Sequence, residues 1–346
     1  MERPRVDARL LPLLWLGRLD GLRSSDLTIP EVRERSGRTS RRGRDLVMGP
    51  GPRCVERDVL VPVDGASITV RLYWPISIDA RTHAPRRDRR RPLHVFIHGG
   101  GWCVGTLYER DPRCREIAVG ADCVVASIEY RLAPEHPFPV PLEDCYGALC
   151  WLADHGDELA FDADRLSIGG ESAGANLAAA VCLLARDRHG PAIRHQWLDV
   201  PAVDLTLGSP SIVEIPDGYL LDRVAIDTYL DCYLQDRSLA ADPAASPLLS
   251  EDLSGLPPAW ITGCAADKLR DDATRYASAL RAAGVPVRSR ILPGMFHAAF
   301  AFTRFLPAAK HYEQESIAAL ADAFRADADG PTRTTTPPIS DHPRQE

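Results

Sequence analysis

Short apolar runs that alternate with helical stretches constrain the fold of this chain more than any other feature of its sequence. Four runs have the length and composition of buried strands, at residues 93–99, 123–130, 165–170 and 259–267. Helical patterns lie between them, one at residues 142–156 and another beginning at Ser172. Because parallel strands need crossover helices, the sequence predicts an α/β protein with a doubly wound, mostly parallel sheet.

Different patterns flank and interrupt this alternation. Residues 55–63 and 67–75 form two apolar runs around Asp64-Gly65, which predicts a β-hairpin. Residues 205–240 contain a helical pattern, DRVAIDTYLDCYL, between two predicted strands. We therefore expect cap segments at 1–53 and 205–240 over the carboxyl ends of the strands, core segments at 54–204 and 241–326, and a disordered tail at 327–346.

Composition argues against several classes of protein. The 346 residues carry a net charge of -7, so nothing at the level of the whole chain favours nucleic acid. The arginine-rich run at 85–92 is predicted to be a solvated loop rather than a DNA-binding arm. No apolar run approaches membrane-spanning length, and LLPLLWLG lacks the flanks of a signal peptide. Nine cysteines without C-x-x-C spacing indicate reduced thiols in the cytoplasm, not disulfides or a zinc site.

The sequence SIGGESAGANLAAA places a serine between two glycines at a tight turn. Gly170, Ser172 and Gly174 match G-x-S-x-G, and the motif follows a predicted strand and precedes a predicted helix. Side chains two residues before and after the serine would collide with neighbouring backbone, and the turn would expose the hydroxyl above the sheet. A serine that only caps the helix, flanked by glycines, would show the same short pattern.

A second glycine-rich turn, HGGGW at residues 98–102, directly follows the apolar run LHVFI. Three consecutive glycines allow backbone N–H groups to face a cavity without obstruction, which suits the oxyanion of a tetrahedral intermediate. A phosphate-binding loop is the alternative. The chain has no G-K-[ST] and no G-x-G-x-x-G followed by a ribose-binding acid, so the oxyanion interpretation is favoured.

A serine nucleophile needs a base, and the base needs an orienting carboxylate. Of the ten histidines, His297 lies just beyond the last predicted strand, the run VRSRILPG at residues 287–294, at the edge where an active site is expected. Asp267 ends a predicted strand, whereas Asp271 and Asp272 suit the first turn of a helix. The resulting order Ser172, Asp267, His297 is the one expected for α/β-hydrolases.

With these residues assembled, the chain resembles the hormone-sensitive-lipase-like esterases of the α/β-hydrolase superfamily. Besides HGGGW and GESAG, the stretches SIEYRLAPEHPFPVPLEDCYGAL and SPLLSEDLSGLPPAWITG carry the resemblance, which covers roughly residues 93–325. It implies an α/β-hydrolase fold with a helical cap, the nucleophile at Ser172, the acid at Asp267 and the base at His297.

The resemblance also implies the surroundings of this triad. The backbone N–H groups of Gly100, Gly101 and Ala173 would bind the oxyanion. The residues that would support the loop are His98, Gly99, Trp102 and Glu171. Three residues depart from the family's pattern: Glu171 replaces an aspartate, Lys268 replaces a proline and Ala298 replaces a glycine.

The implied function is hydrolysis of carboxylic esters with short to medium acyl chains through an acyl-enzyme, without a metal or organic cofactor. The expected partner is a small-molecule ester, with no nucleic acid and no membrane span, and a homodimer is left open. Two alternatives remain: a deacetylase or lactonase that acts on a natural product with the same triad, and a ligand-binding protein on a non-catalytic hydrolase scaffold.

Overall fold

An eight-stranded sheet forms the centre of the computed structural model, which describes residues 4–12, 14–15, 28–37, 41–76 and 90–325. The strands are β1 (Cys54–Val63), β2 (Ala66–Pro75), β3 (Arg91–Ile97), β4 (Val124–Glu129), β5 (Phe161–Glu171), β6 (Ile193–Asp199), β7 (Ala259–Ala266) and β8 (Val287–Phe296). The helices around them are α1 (Ile29–Gly37), α2 (Arg41–Val47), α3 (Leu107–Gly120), α4 (Val140–Asp154), α5 (Ala173–Asp187), α6 (Ser211–Glu214), α7 (Arg223–Leu234), α8 (Arg270–Ala282) and α9 (Pro307–Arg325).

The strand order is β1-β2-β4-β3-β5-β6-β7-β8. β1 and β2 form the predicted hairpin around Gly65, and β2 also pairs with β4 in the antiparallel sense. The strands from β4 onward are all parallel. The carboxyl ends of these strands therefore lie at one edge, where loops meet. This confirms the prediction of a mostly parallel α/β sheet.

Two separate clusters of buried apolar side chains lie on opposite faces of the sheet. In β3, Val95 and Ile97 belong to the cluster covered by α4, α5 and α8, whereas Phe96 belongs to the cluster covered by α3 and α9. Adjacent residues of a strand point to opposite faces, so one strand contributes to both clusters. Burial on both faces explains why this strand is a continuous apolar run.

The sequence did not indicate β6 or α3. β6 has the sequence IRHQWLD, in which His195 and Gln196 interrupt the apolar pattern although both are buried. The Gln196 side-chain N–H donates to the Pro257 carbonyl at 2.8 Å, which compensates for part of the cost of burying the amide. α3 is hard to recognise in the sequence because it carries many charged residues. Two of them, Asp111 and Arg113, are buried, and Glu109, Arg110 and Arg115 are half-buried.

Several predictions, among them the cap segment at 1–53, fall partly or wholly outside the described residues. The expected tail at 327–346 lies outside them, as do residues 85–89 of the arginine-rich run. The end of that run was predicted wrongly, because Arg91 and Pro92 form the start of β3. The neighbouring Arg90 pairs with Asp157.

The two expected cap segments contact the turn that follows β3. Residues 205–240 contain α6 and α7, and the ring of Tyr233 stacks on Trp102 with the centroids 4.4 Å apart. In the other segment, Arg33 of α1 donates to the carbonyls of Cys103 and Ala133 at 2.8 and 2.7 Å. The division into cap and core stays a prediction.

All nine cysteines lie in the described part of the chain, and all are free. Six are buried, and Cys54, Cys150 and Cys232 are partly exposed. Within the same described ranges, no helix combines the length and apolar character needed to cross a membrane.

Candidate active site

Ser172 occupies a sharp turn between β5 and α5. Its φ and ψ are 55° and -120°, a conformation that side chains disfavour, and its N–H donates to the Asp199 carbonyl at 2.8 Å. A Cβ at Gly170 would lie 2.5 Å from the Ile97 carbonyl oxygen, and one at Gly174 would lie 2.1 Å from the same oxygen. Both glycines are thus required by close backbone approach, as the sequence predicts.

The structure brings the three predicted triad residues together. His297 Nε2 lies 2.9 Å from Ser172 Oγ, and His297 Nδ1 lies 2.8 Å from Asp267 Oδ2. The other carboxylate oxygen of Asp267 accepts the Leu269 N–H at 3.0 Å, which fixes the acid at the end of β7. The Asp267 side chain is buried and that of His297 is 12% exposed. This chain of hydrogen bonds can move a proton away from the serine hydroxyl.

The glycine turn after β3 lies beside this serine. Gly100 and Gly101 have φ of 123° and 57°, and a Cβ at Gly100 would lie 2.0 Å from the Val104 carbonyl oxygen. The N–H groups of Cys103 and Val104 donate to the Gly100 carbonyl at 3.1 and 3.0 Å and close the turn. Ala173 is the first residue of α5, so its N–H has no acceptor within the helix. The oxyanion role of these amides stays a prediction.

The residues predicted to support the loop make contacts consistent with that role. His98 Nδ1 lies 2.8 Å from the Gly99 carbonyl oxygen, and its ring stacks on Tyr130. Burial lowers the pKa of His98 to about 4, so its imidazole is neutral near pH 7. A Cβ at Gly99 would lie 2.8 Å from the Glu171 carbonyl oxygen. Trp102 donates its ring N–H to Asn176 at 3.2 Å.

Glu171, immediately before the serine, belongs to a buried cluster of charges. It pairs with Arg110 and, at 3.0 Å, with Arg113. Arg113 also pairs with Asp199 and, at 3.1 Å, with Glu313. Burial opposes ionisation of Glu171, but the two arginines outweigh it and lower its pKa. Sequence reasoning missed both arginines, because only the fold brings α3 to the end of β5.

The rival acids take part in other contacts. Asp271 and Asp272 lie in the first turn of α8, as predicted. Asp272 accepts the N–H groups of Val203 and Asp204 at 2.9 and 3.0 Å, and burial raises its pKa to about 7. Asp271 accepts the N–H of Ser211 at 2.9 Å. Asp267 is the carboxylate that meets His297.

Ser172 and His297 line a cavity of about 250 Å³. Its polar lining includes Arg110, Glu171 and Asp204, and the rest is mostly apolar. Residues 205–240 supply much of the apolar wall, through Leu205, Leu207, Leu220, Leu221, Ile226, Tyr229 and Leu230. None of the residues described within 1–53 lines it. In the part of the chain that the structure describes, no group of three His, Cys, Asp or Glu residues could hold a metal ion.

Comparison with known proteins gives the family. Residues 94–301 match the model of a family described as alpha/beta hydrolase fold. This chain is a member of the α/β hydrolase fold family. The predicted resemblance to hormone-sensitive-lipase-like esterases is thereby confirmed.

Several relatives of this α/β hydrolase are named esterases. It is 40% identical over 270 residues to Carboxylesterase NlhH of Mycobacterium tuberculosis, covering 77% of this chain and 82% of the relative. It is 36% identical over 321 residues to Esterase LipI of the same species, covering 92% and 95%.

Solved structures that are similar to this chain are also named as esterases or ester hydrolases. The hyperthermophilic esterase of Pyrobaculum calidifontis superposes with a TM-score of 0.84 at 32% identity, covering 92% of this chain and 98% of that one. The ester-hydrolase EH1AB1 from the metagenome of Lake Arreo, complexed with a derivative of bipyridine phosphonate, also gives a TM-score of 0.84. It is 30% identical and covers 92% and 99%.

Proposed function

We propose that this α/β hydrolase is a serine carboxylesterase, with Ser172 as nucleophile, His297 as base and Asp267 as the orienting acid. The observation that carries the proposal is the continuous hydrogen-bonded chain from the Ser172 hydroxyl through His297 to Asp267 at the wall of an apolar cavity. Relatives named carboxylesterase and esterase support the choice of bond.

In the first half of the reaction, Ser172 Oγ attacks the ester carbonyl while its proton moves to His297 Nε2. Asp267 accepts the Nδ1–H of the imidazolium and stabilises its charge. The C–O bond to the alcohol then breaks, and the alcohol leaves with the proton from Nε2. Ser172 remains acylated.

In the second half, His297 takes a proton from water, and the resulting hydroxide attacks the acyl carbon. The carboxylic acid leaves and the proton returns to Ser172. In both halves the carbonyl oxygen becomes an oxyanion, which the N–H groups of Gly100, Gly101 and Ala173 stabilise.

The substrates that we propose are esters with short to medium acyl chains. The cavity beside Ser172 measures about 250 Å³, and leucines of the segment 205–240 form much of its wall. A mostly apolar space of this size suits a short hydrocarbon chain and disfavours a charged one.

The test is a panel of p-nitrophenyl esters from acetate to palmitate, assayed with the purified protein and with the variant Ser172→Ala. We expect hydrolysis of acetate and butyrate by the natural sequence, weak activity on palmitate, and loss of all activity in the variant. Circular dichroism checks that the variant folds. A fluorophosphonate probe should label only the natural sequence.

Survival of activity in Ser172→Ala would refute the assignment of the nucleophile. An amide and a lactone in the same panel test the bond specificity. If either is cleaved faster than every ester, the protein is a deacetylase or lactonase with the same triad. If nothing is cleaved and the probe does not react, it is a binding protein.

We further propose a cytoplasmic homodimer that pairs at the edge strand β8. Nine free cysteines favour a reducing compartment. β8 forms one edge of the sheet. Among the described residues, the outer side of β8 pairs with the chain through an isolated bridge between Val6 and Gly294. Light scattering coupled to gel filtration tests the assembly, because a monomeric mass would contradict it.

A further inference from the structure

Lys268 directly follows the acid of the triad, yet its ammonium group contacts another part of the molecule. The side chain is only 5% exposed. Its Nζ donates to the Ile215 carbonyl at 2.6 Å and to the Ile212 carbonyl at 3.2 Å, and it pairs with Asp217 at 3.1 Å. Three acceptors therefore match the three N–H donors of the ammonium. A buried charge with such complete pairing fixes the position of its partners.

These partners belong to the segment 211–217, which leads into the wall of the cavity. Ile212 lies within α6, and Ile215 directly follows this helix, at the end where carbonyls lack helical partners. Asp217 also accepts the N–H of Arg223, the first residue of α7, at 2.9 Å. Lys268 is thus connected through Asp217 to the start of the helix that contributes much of the apolar wall.

A second set of contacts ties the same two segments together. Ser211 donates its hydroxyl to the Lys268 carbonyl at 2.7 Å, and its hydroxyl oxygen accepts the Asp271 N–H at 3.0 Å. The chain between α6 and α7 is held in an unfavourable conformation, since Leu220 has a φ of 71°. Leu220 and its neighbour Leu221 line the cavity. Their positions therefore depend on the anchoring of this segment.

We propose that Lys268 is a positioning residue that sets the acyl-chain preference of the cavity. It anchors the segment 211–223 to the loop that carries Asp267, and thereby holds the leucine wall at a fixed distance from Ser172. This inference rests on the proposed esterase function. The partners of the ammonium lie at residues 212, 215 and 217 and not in the triad. Loss of the ammonium therefore changes how the cavity fits the acyl chain rather than how the triad transfers protons.

The experiment measures kcat and KM on p-nitrophenyl acetate, butyrate and octanoate for Lys268→Met, Asp217→Asn and the double variant. Lys310→Met is the matched control, because Lys310 is the other lysine of the chain and is exposed on α9. In Lys268→Met we expect the ratio of kcat/KM between octanoate and acetate to change by about tenfold, the effect of misplacing a methylene-sized contact. The change appears mainly in KM, with the pH profile of kcat unchanged.

Asp217→Asn should change the same ratio in the same direction. In the double variant this ratio should change no more than in Lys268→Met, because both substitutions remove the same Lys268–Asp217 interaction. Asp217 is half exposed, so its substitution keeps the test available if Lys268→Met does not fold. An unchanged acyl-chain profile in both single variants would overturn the proposal. So would an equal fall of kcat on all esters with a shifted pH profile, which would indicate an effect through Asp267.

Hydrogen exchange of residues 211–223 provides a readout that does not depend on catalysis. Exchange there should be faster in Lys268→Met than in Lys310→Met, since local opening becomes easier when buried partners are lost. Equal exchange rates would overturn the anchoring itself. Absence of ester hydrolysis by the natural sequence, with faster exchange in Lys268→Met, would instead refute the proposed function and leave the anchor intact.

Discussion

Several residues around the proposed nucleophile have backbone conformations that residues with a Cβ disfavour. Among them, φ is +55° at Ser172, +57° at Gly101, +58° at Trp102 and +62° at Ala298. For a residue with a Cβ such a conformation costs roughly 1–2 kcal/mol, so neighbouring contacts must hold it. At Ser172 one such contact is the N–H donated to the Asp199 carbonyl.

Gly101 allows a test of the glycine turn. Its Cβ in a Gly101→Ala variant would lie 2.4–2.7 Å from ring carbons of Tyr229, so the turn must shift. We expect kcat on p-nitrophenyl acetate to fall by about 10²–10³, the effect of losing one oxyanion donor.

The control is Gly65→Ala in the β1–β2 hairpin. Gly65 has a similar φ of +69° but nothing within 4 Å of its added Cβ. It should lose stability through backbone strain while kcat stays unchanged. Equal kcat values for the natural sequence and Gly101→Ala would mean that this amide does not stabilise the oxyanion.

At this scale the sequence was sufficient to pick out the three side chains that the structure brings within hydrogen-bonding distance of one another, although their catalytic roles stay a prediction. The tight turn at Ser172 leaves a mark in the sequence because it demands glycine at Gly170 and Gly174. Asp267 and His297 directly follow the neighbouring parallel strands β7 and β8, which place them at the same edge of the sheet. The pairing of Glu171 with Arg110 produces no recognisable pattern in the sequence, because it places no constraint on the backbone and because 61 residues separate the two.

Among the helices and strands, a buried arginine connects four elements near the carboxyl ends of the parallel strands. Arg113 of α3 meets Glu171 at the end of β5, Asp199 at the end of β6 and Glu313 of α9. Its guanidinium also lies 4.9 Å from the ring centroid of Phe300. The position of the end of β5, which precedes Ser172, therefore depends on the two helices α3 and α9.

We predict that Arg113→Met destabilises the protein by about 3–5 kcal/mol, because it leaves buried carboxylates without a counter-charge. Urea unfolding measures the loss. Arg188→Met is the control: Arg188 pairs with Glu143 at the surface, with side chains 44% and 36% exposed. Its loss should cost less than about 1 kcal/mol. Similar midpoints for the two variants would contradict the prediction.

For whole elements, the sequence was reliable where burial is purely apolar. β3, β4, β5 and β7 were predicted within a few residues, except that β5 begins earlier, at Phe161. β6 was missed because it buries the polar side chains of His195 and Gln196 among apolar ones, and the Gln196 N–H finds the Pro257 carbonyl only in the folded protein. A pattern of hydrophobicity cannot reveal such compensation.

At the scale of the whole molecule, three histidines among the described residues are buried in neutral form. Burial lowers the pKa of His94 to about 3 and the pKa values of His98 and His195 to about 4, from 6.5. At these three positions the unfolded chain therefore binds more protons than the folded one below pH 6.5. The stability that the three neutral imidazoles contribute is fully present above that pH and falls as the pH decreases towards 4.

We predict that His94→Gln makes stability less dependent on pH. Between pH 6 and 5 the free energy of unfolding should fall less steeply than in the natural sequence, by about 1.4 kcal/mol per pH unit. The glutamine retains a polar partner for Ser167, which lies 2.6 Å from His94 Nδ1. Urea unfolding at both pH values measures the slopes.

The control for this pH dependence is His311→Gln, because the side chain of His311 is 70% exposed. It should keep the slope of the natural sequence. An identical slope in His94→Gln would show that the buried imidazole does not contribute to acid sensitivity.

The sequence predicted only part of how the segments of the whole chain pack together. The helical pattern in 205–240 correctly predicted α7, but not which of its residues form the cavity wall. That depends on how the helix lies against the glycine turn, through contacts such as the stacking of Tyr233 on Trp102. These contacts join residues more than a hundred positions apart, and no local pattern encodes them.

The nine unpaired thiols have a practical consequence for spectroscopy. Six are buried, and burial raises the pKa of each partly exposed one, to about 11 at Cys54. Few thiolates are then present at neutral pH, so maleimide dyes should react slowly with the natural chain. A single cysteine introduced at Val224, which is 54% exposed at the start of α7, would be labelled selectively. Its fluorescence could then follow the wall of the cavity in real time.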